Sequence, residues 1–587
     1  MPRDLTPAFL DVEASLSGRR WVGPGADEAR AASRISQVAG LEASVAAVLA
    51  RRGIEAEDAT AFLAPTLREL MPDPSVLKDM DTAIALFCDV VRAQGRIAVF
   101  ADYDVDGGSS AALLLDWLGQ QGLSATLYIP DRIDEGYGPN VPAMEQLARG
   151  HDLIICVDCG TLSHEPIAAA RAAGAQVIVL DHHQGGEILP DAGAVVNPNR
   201  QDEDCGLGYL CAAGVVFLML AGANRALRAE RSVPDLMAML DLVALATVAD
   251  VAPLIGFNRA LVRQGLSVMA RRERAGLVAL GDVAGLSARP TAYHLGFMLG
   301  PRVNAGGRIG AADLGARLLA TRDPHEAAAM AERLDALNKE RREIEAQVLA
   351  QAMEQAEARG TDGALVWAAG QGWHPGVVGI VAARLKEATN RPAVVIGLEA
   401  GVGKGSARSV TGVDLGAAVA ACTREGLLTK GGGHAMAAGL TVDEEKIDAA
   451  MERLSELLAK QGAAAIGPKD LRLDGLLTTR AAQPDLVEAL DQAGPFGAGA
   501  PAPRHALAAQ RISFAKRAGE NHLRLTFADD SGGRLDAICF RAFDGPLGPA
   551  LENHGGAKFH VAGRLEIDEW GGRRKAKLRL EDAAPVA

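Results

Sequence analysis

The chain has 587 residues, 49% hydrophobic and 23% charged, with a net charge of −14. That length exceeds what one hydrophobic core serves and predicts several domains, while no apolar run reaches membrane-spanning length and "MPRDLTPAFLDVEA" lacks the apolar core of a secretory signal. Seven scattered cysteines fit reduced thiols in a cytoplasm better than a disulfide framework, and the negative balance argues against indiscriminate binding of polyanions without excluding nucleic acid, because basic groups gather locally in "GGRRKAKLR".

Taken in order, residues 1–70 read as a helical segment, with apolar positions three and four apart in "ASRISQVAGLEASVAAVLARRG", and offer no chemistry. A proline-broken connection, "PTLRELMPDPSVLKDMDTA", leads into alternating strands and helices. "RIAVFADYD", "SATLYIPD", "DLIICVDCG" and "QVIVLDHH" read as strands, and "SSAALLLDWLGQQG", "NVPAMEQLARG" and "EPIAAARAAG" as the helices between them. This spacing predicts a parallel sheet covered on both faces. Residues 206–320 are mostly helical in pattern, and 325–359 read as one long, heavily charged helix suited to be a strut between lobes. A second α/β segment runs from "GALVWAAG" through "GVVGIVAARLKEA", "PAVVIGL" and "KGSARSV" to the glycine-rich turn "KGGGHAMAAG". Beyond it, short alternating strands with glycine-containing turns predict a small β-barrel. The expectation is an α/β protein: a helical segment over 1–70, a first lobe over 71–322, a connecting helix over 323–360, a second lobe over 361–467 and a barrel over 468–587.

In a parallel α/β sheet the loops at the carboxyl ends of the strands share one edge, and ligands bind there. Asp102, Asp104 and Asp106 follow the first strand, Asp158 ends the third, and Asp181, His182 and His183 end the fourth. Asp250 closes the apolar helix "LDLVALATVAD" and can fold back onto the same edge. Carboxylates crowded in this way repel one another and partly protonate unless cations or strong donors sit among them. Nothing in these stretches neutralises them, so the pattern points to a divalent metal, and to a pair of ions rather than one. Oxygen ligands with one or two imidazoles favour Mn²⁺ or Mg²⁺, the histidine tilting the choice toward Mn²⁺. Two such ions suit hydrolysis of a phosphoester or phosphoanhydride. A lone D-x-D is common in turns and "VDCG" alone says little; the four stretches at equivalent strand ends carry the inference. Cys156 and Cys159 form a C-x-x-C, but with no second pair nearby and Cys156 inside an apolar strand they read as core rather than as a zinc or redox site.

"DYDVDGG", "VDCGT", "DHH" and "ATVADVAPL" resemble, in order and spacing, the four motifs of the DHH phosphoesterase superfamily. "GPRVNAGGRIG", "GWHPGVVGIVAARL", "KGSARS" and "KGGGHAMAAG" are similar to the further signatures of its RecJ branch, the single-stranded-DNA exonucleases, whose DHH and DHHA1 lobes are followed by an OB-type domain. The likeness runs from about residue 70 to the C-terminus. It implies metal ligation by Asp104, Asp106, Asp158, His182 and Asp250, with Asp158 bridging two ions and Asp102 and His183 supporting the metals or contacting the scissile phosphate. Pyrophosphatase-type relatives carry a histidine four residues before the position of Asp104; here it is Phe100, one imidazole fewer for the first metal.

For the substrate the resemblance implies Arg132 in "IPDRIDEGYG" and Arg302 in "GPRVN" near the catalytic lobe, and Ser406, Arg408 and His434 on the second lobe. Arginine forks suit phosphate, and consecutive N–H groups in "GGGHA", taken to open a helix, would make an anion nest. In the barrel, Lys516, Arg517, Arg564, Trp570, Arg573, Arg574 and Lys575 are candidates for a groove that binds single strands by stacking and charge. With only 4% aromatic residues, charge has to carry more of that binding, so affinity should fall steeply with salt.

The resemblance thus implies a metal-dependent exonuclease that shortens single-stranded DNA from its 5′ end to 5′-mononucleotides in repair and recombination. Two lobes would surround a channel whose entrance the barrel guards, in a cytoplasmic monomer working beside a helicase and a single-strand-binding protein. Polarity and the choice of DNA rest on the resemblance alone. The alternatives are a phosphodiesterase of short oligoribonucleotides or linear dinucleotides and, less in keeping with the complete set of acids and imidazoles, a non-catalytic nucleic-acid-binding scaffold.

Overall fold

A computed structural model describes residues 7–131, 135–465, 470–569 and 573–586. The chain divides into two compact units: one holds residues 72–253 and 264–467, the other residues up to 71, 254–263 and from 468 onward.

In the first unit, β1 (Ile97–Ala101), β2 (Ala125–Tyr128), β3 (Leu153–Val157), β4 (Gln176–Leu180) and β5 (Ala194–Val196) form a sheet in the order β2-β1-β3-β4-β5, every pair parallel. Every residue of β1 and β3 is buried, which is why these strands read as continuous apolar runs rather than as alternating ones. Three helices bear on the site: α1 (Val105–Gln120), α2 (Ala212–Leu227) and α3 (Leu240–Ala249). α3 is apolar on all sides and buried over almost its whole length, as a helix enclosed by others must be. The long α4 (Pro324–Arg359) spans about 54 Å at 1.5 Å per residue. The Asp323 carboxylate starts it, accepting from the backbone N of His325 at 2.7 Å and of Glu326 at 3.3 Å. Its C-terminal half shares a core with the second lobe through Val348, Ala352 and Ala356.

That lobe is a mixed sheet of β6 (Val366–Gln371), β7 (Ala393–Glu399), β8 (Val402–Arg408), β9 (Lys430–His434) and β10 (Ala437–Asp443), in the order β9-β10-β8-β7-β6. The helix expected to open at "GGGHA" is not there. Lys430–His434 is an edge strand paired with β10, with Gly431 opposite Leu440 and Gly433 opposite Ala438. Its glycines serve close approach instead: a Cβ on Gly433 would fall 2.4 Å from the Ala437 carbonyl oxygen, and one on Gly416 of the helix beside it 2.7 Å from the Gly433 carbonyl oxygen. A nest built on a helix N-terminus is therefore excluded at this place.

The second unit contains a closed barrel. β11 (His505–Ala518), β12 (His522–Ala528), β13 (Arg534–Cys539), β14 (Lys558–Asp568) and β15 (Lys575–Pro585) pair in the order β11-β12-β13-β15-β14, and β14 pairs back onto β11. β11 is 14 residues long, not short, and a register shift between Leu507 and Gln510 bends it so that it serves both neighbours. The N-terminal helices Ala26–Ala39 and Ala43–Arg51 pack in this unit, sharing a core with Leu486 and Leu490. Trp21–Val22 forms a short parallel pairing with Leu471–Arg472, and the Trp21 indole N–H donates to the buried Asp582 carboxylate at 3.0 Å. Leu254–Arg263, inside the stretch the sequence gives to the first lobe, also belongs here. Arg259 donates to the carbonyls of Phe62, Gln492 and Ala493 and lies 4.1 Å over the Phe62 ring. Among the described residues no helix is long and apolar enough to cross a membrane. The cysteines are free, and burial pushes the Cys156 thiol up to about 12, which agrees with a core role for the C-x-x-C.

Candidate metal centre

Strand register aligns the site. Ala101 lies opposite Val157, Val157 opposite Leu180, and Leu180 opposite Val196, so the next residues, Asp102, Asp158, Asp181 and Asn197, stand in a row across four adjacent strand ends. The chain after β1 turns straight into α1, and Asp104 caps it, accepting from the backbone N of Asp106 at 2.8 Å and of Gly107 at 3.1 Å. The glycine pair of "DVDGGSS" has a steric cause: a Cβ on Gly107 would fall 2.4 Å from the Asp102 carbonyl oxygen. Asp106 is buried and accepts from the backbone N of Ala212 at 2.7 Å and of Ala213 at 2.9 Å, at the start of α2, whose dipole favours an anion there. Asp250 follows the last residue of α3 and comes onto the same edge.

Three overlapping groups of potential ligand atoms result, the atoms of each within 4.8 Å of one another: Asp102, Asp104 and Asp158; Asp106, His182 and Asp250; Asp158, His182 and His183. Asp158 and His182 each belong to two groups. Asp158 Oδ1 stands 3.2 Å from His182 Nε2, and Asp106 Oδ2 and Asp250 Oδ2 stand 3.7 and 3.9 Å from that nitrogen. Both Asp158 Oδ1 and His182 Nε2 are buried without a hydrogen-bond partner. Buried polar atoms are seldom left so, and two of them aimed at one point fit a metal ion. Asp158 is moreover held at a left-handed φ of +59°, a conformation that is expensive for most residues and frequent at functional sites.

The electrostatics agree. Burial, and then the charges of Asp106, Asp104 and Asp102, push Asp158 well above the ordinary carboxylate range. Burial, together with Asp106 and Asp104, raises Asp250 to about 8. Burial raises Asp106 as well, against the attraction of His182. Such groups hold their charge comfortably only with cations among them. The donors are carboxylate oxygens and imidazole nitrogens, the set suited to Mn²⁺ and Mg²⁺, and no cysteine joins them.

Asp181 is the exception in the row. Its Oδ1 accepts from the backbone N of His182 at 2.8 Å, the backbone N of His183 at 3.2 Å and His183 Nδ1 at 2.8 Å. Its Oδ2 accepts from the backbone N and Oγ1 of Thr161 at 3.1 and 2.7 Å. It is thus an anchor for the two histidines rather than a member of any ligand group. Burial opposes its charge, but the bonds from His183 and Thr161 hold it below the usual carboxylate range. Burial likewise opposes the charge on His183, and the bond to Asp181 outweighs it, raising His183 to about 9.

Several supporting residues escape a reading of the sequence. Asn197 Nδ2 donates to Thr161 Oγ1 and the His183 carbonyl, and Asn199 Nδ2 to the His182 carbonyl at 2.6 Å, so the histidine backbone is gripped from both sides. Tyr137 donates its hydroxyl to the Asp158 carbonyl at 3.1 Å and sets its ring edge-on to His183. Asn304 Oδ1 accepts from the backbone N of Val105 at 3.1 Å. Only Asn197 carried a usable signal, as the polar residue directly after the apolar run "AVV". Phe100, at the place of the relatives' histidine, is fully buried and stacks with Tyr128 at 5.3 Å.

The substrate candidates divide. On β8, Arg408 donates to Ser406 Oγ at 3.0 Å, and the two lie against Gly379, where a Cβ would stand 3.1 Å from Ser406 Oγ. Arg408 is opposite Ala437, which is opposite His434, so Arg408 and His434 share one face of the sheet. Arg302 Nε donates to Asp335 at 2.9 Å and its Nη1 to the Met298 carbonyl at 2.7 Å. In the barrel unit Arg517 is paired with Glu552, Arg564 with Glu581, and Arg574 with Glu488 and Glu569, so phosphate would have to displace a carboxylate at each. Lys516, Arg573 and Lys575 are exposed. Arg132 and Trp570 lie outside the described residues.

A parallel sheet whose carboxyl edge gathers acids and imidazoles into a divalent-cation site defines a metal-dependent phosphoesterase. The DHH family N-terminal domain matches residues 96–247, the DHHA1 domain residues 361–460 and the RecJ OB domain residues 473–582. The single-stranded-DNA-specific exonuclease RecJ of Salmonella typhimurium is 36% identical over 538 residues, 87% of this chain and 91% of that protein. The crystal structure of RecJ in complex with Mn²⁺ from Thermus thermophilus matches with a TM-score of 0.79 at 29% identity, covering 96% of this chain and 79% of that one. The Mg²⁺ complex from the same organism matches with a TM-score of 0.73 at 27% identity, covering 96% and 78%. The chain belongs to the RecJ family.

Proposed function

We propose that this protein is a Mn²⁺- or Mg²⁺-dependent exonuclease that shortens single-stranded DNA from its 5′ end to 5′-mononucleotides, in DNA repair and recombination. The observation that carries the reading is the shared pair of unbonded buried atoms, Asp158 Oδ1 and His182 Nε2, at the overlap of the three ligand groups. Asp104, Asp106, Asp158, His182 and Asp250 would hold the metal, with Asp158 common to two ions and Asp102 completing its side of the cluster. Bound there, the divalent cation supplies charge neutralisation and Lewis acidity for displacement at phosphorus. His183, anchored by Asp181, would hold the scissile phosphate by hydrogen bond. Arg302, Ser406, Arg408 and His434 would hold the strand, and exposed barrel cations such as Arg573 would add charge to its binding. Free cysteines fit a cytoplasmic location, and a monomer working beside a helicase and a single-strand-binding protein fits an enzyme that needs unpaired DNA.

The test is digestion by the chelator-treated full chain, with Mn²⁺ or Mg²⁺ restored, of a 20-nucleotide DNA strand, the same strand in duplex, and its RNA counterpart. Metal-dependent release of mononucleotides from the single DNA strand alone is expected. Equal hydrolysis of RNA, or activity confined to dinucleotides, would overturn the reading.

A further inference from the structure

Away from the metal cluster, two buried carboxylates lie on the helices that carry its ligands. Asp116 is on α1, ten residues after Asp106, and Asp241 is in the first turn of α3, nine residues before Asp250. At 1.5 Å per residue these separations are about 15 and about 13.5 Å. α1 and α3 pack against each other. At one end of the pair Asp106 and Asp250 share a ligand group, and at the other Asp116 and Asp241 share one arginine. The two helices therefore run in opposite directions, with nearly equal lengths between the two ties.

Arg274 Nε donates to Asp241 Oδ2 at 2.9 Å and its Nη1 to Asp116 Oδ2 at 3.2 Å, and the side chains of Arg274, Asp241 and Asp116 are only 11%, 4% and 7% exposed. The other oxygen of Asp116 accepts from Arg322 Nε at 3.1 Å, and that of Asp241 from the backbone N of Leu242 at 2.9 Å. Arg274 comes from outside the pair. It precedes the helix Ala275–Val283, which lies so close to Leu314–Ala320 that a Cβ on Gly276 would fall 1.9 Å from the Leu318 carbonyl oxygen. Packing does less to fix this end. A cavity of about 280 Å³ opens beside it, lined by Asp241, Arg274, Leu277 and Leu299 among others. α3 otherwise buries mainly leucine, valine and alanine, whose burial has no directional preference.

We propose that Arg274 is a positioning residue: by holding Asp116 and Asp241 it sets the register of α1 against α3, and so keeps Asp106 and Asp250 at one metal ion. This rests on the metal reading above. A buried ion pair adds little net stability over apolar groups of the same size, but it is directional, and fixing a register is its best-attested use. The tolerance at the far end is small. A slip of one residue's rise, about 1.5 Å, is several times the roughly 0.2 Å that a metal–ligand distance allows.

The experiment compares the full chain with Arg274→Lys, whose ammonium lacks the fork that reaches two carboxylates, and with the triple variant Asp116→Leu, Asp241→Leu, Arg274→Met, in which apolar groups replace the network. Urea unfolding in EDTA, Mn²⁺ affinity by calorimetric titration, and kcat and KM on a 20-nucleotide DNA strand at saturating Mn²⁺ are measured for each. The triple variant should unfold at the parent's urea midpoint or above it, yet bind Mn²⁺ about tenfold more weakly and lose about tenfold in kcat with KM unchanged. Arg274→Lys should lose about threefold in Mn²⁺ affinity and in kcat. A folded triple variant, or Arg274→Lys, with the parent's Mn²⁺ affinity and kcat would overturn the register role while leaving the metal reading intact. So would a triple variant that fails to fold, because the network would then serve stability. A parent protein that takes up no Mn²⁺ would instead sink the metal reading on which the proposal rests.

Discussion

Replacing Asp181 by Asn should loosen the histidine pair without touching any ligand atom. The carboxylate accepts three hydrogen bonds on Oδ1 and two on Oδ2 in a fully buried position. An amide offers one oxygen, so its NH₂ must face either the two Thr161 donors or the three from His182 and His183. In the less damaging orientation the Thr161 hydroxyl can rotate, but its backbone N–H is left without an acceptor, at about 1–3 kcal/mol. The charge-assisted bond from His183 becomes a neutral one at best, losing roughly a further 1–2 kcal/mol. Urea unfolding of the full chain in EDTA should therefore show a loss of about 2–5 kcal/mol. Because the anchor positions both imidazoles, Mn²⁺ affinity by calorimetric titration should fall about 10- to 100-fold. Stability within about 0.5 kcal/mol of the parent, together with unchanged Mn²⁺ affinity, would refute the anchoring role.

Asp158→Asn keeps the shape and tolerates the φ of +59°, yet it should lower hydrolysis at least about 100-fold and, in EDTA, raise the unfolding free energy by removing one repelling buried acid; activity within tenfold of the parent would contradict the ligand assignment. Arg408→Ala should reduce the salt slope of single-strand binding by about one unit, read from affinities between 50 and 200 mM salt, and an unchanged slope would remove Arg408 from phosphate contact. His505, 2% exposed in the barrel with neither ring nitrogen hydrogen-bonded, is lowered by burial to about 4 from an ordinary 6.5. Above pH 6.5 it is neutral folded or unfolded; between there and about 4 only the unfolded chain takes up the proton, so stability falls with falling pH, by about 2 kcal/mol at pH 5. On urea unfolding the parent should lose about 2 kcal/mol more between pH 8 and pH 5 than His505→Leu does, and equal losses in both would refute it.

The acid row was legible because strand ends in a parallel sheet share an edge whatever the details of packing, so Asp102, Asp158 and the "DHH" run could be brought together from spacing alone. Asp250 needed only the length of one apolar helix. Less visible was the division of labour within the row: Asp181 looks like its neighbours in sequence and differs only in where five donors lie. The helix expected at "GGGHA" rests on glycines taken as a phosphate-binding turn, whereas Gly431 is crowded by the helix Leu415–Arg424 and Gly433 by Ala437 and Ala438 of the strand paired with it. Leu254–Arg263 could not be assigned locally, because what places it is Phe62 nearly 200 positions away.

The most direct test follows the two ends of one strand. A 20-nucleotide single-stranded DNA is labelled at the 5′ end in one sample and at the 3′ end in the other, and each is sampled through a Mn²⁺-started time course with the full chain. Attack from the 5′ end predicts that the 5′ label appears as mononucleotide from the first time point, while the 3′ label passes down a ladder of shortening strands. The reverse pattern, or internal fragments carrying either label, would contradict it.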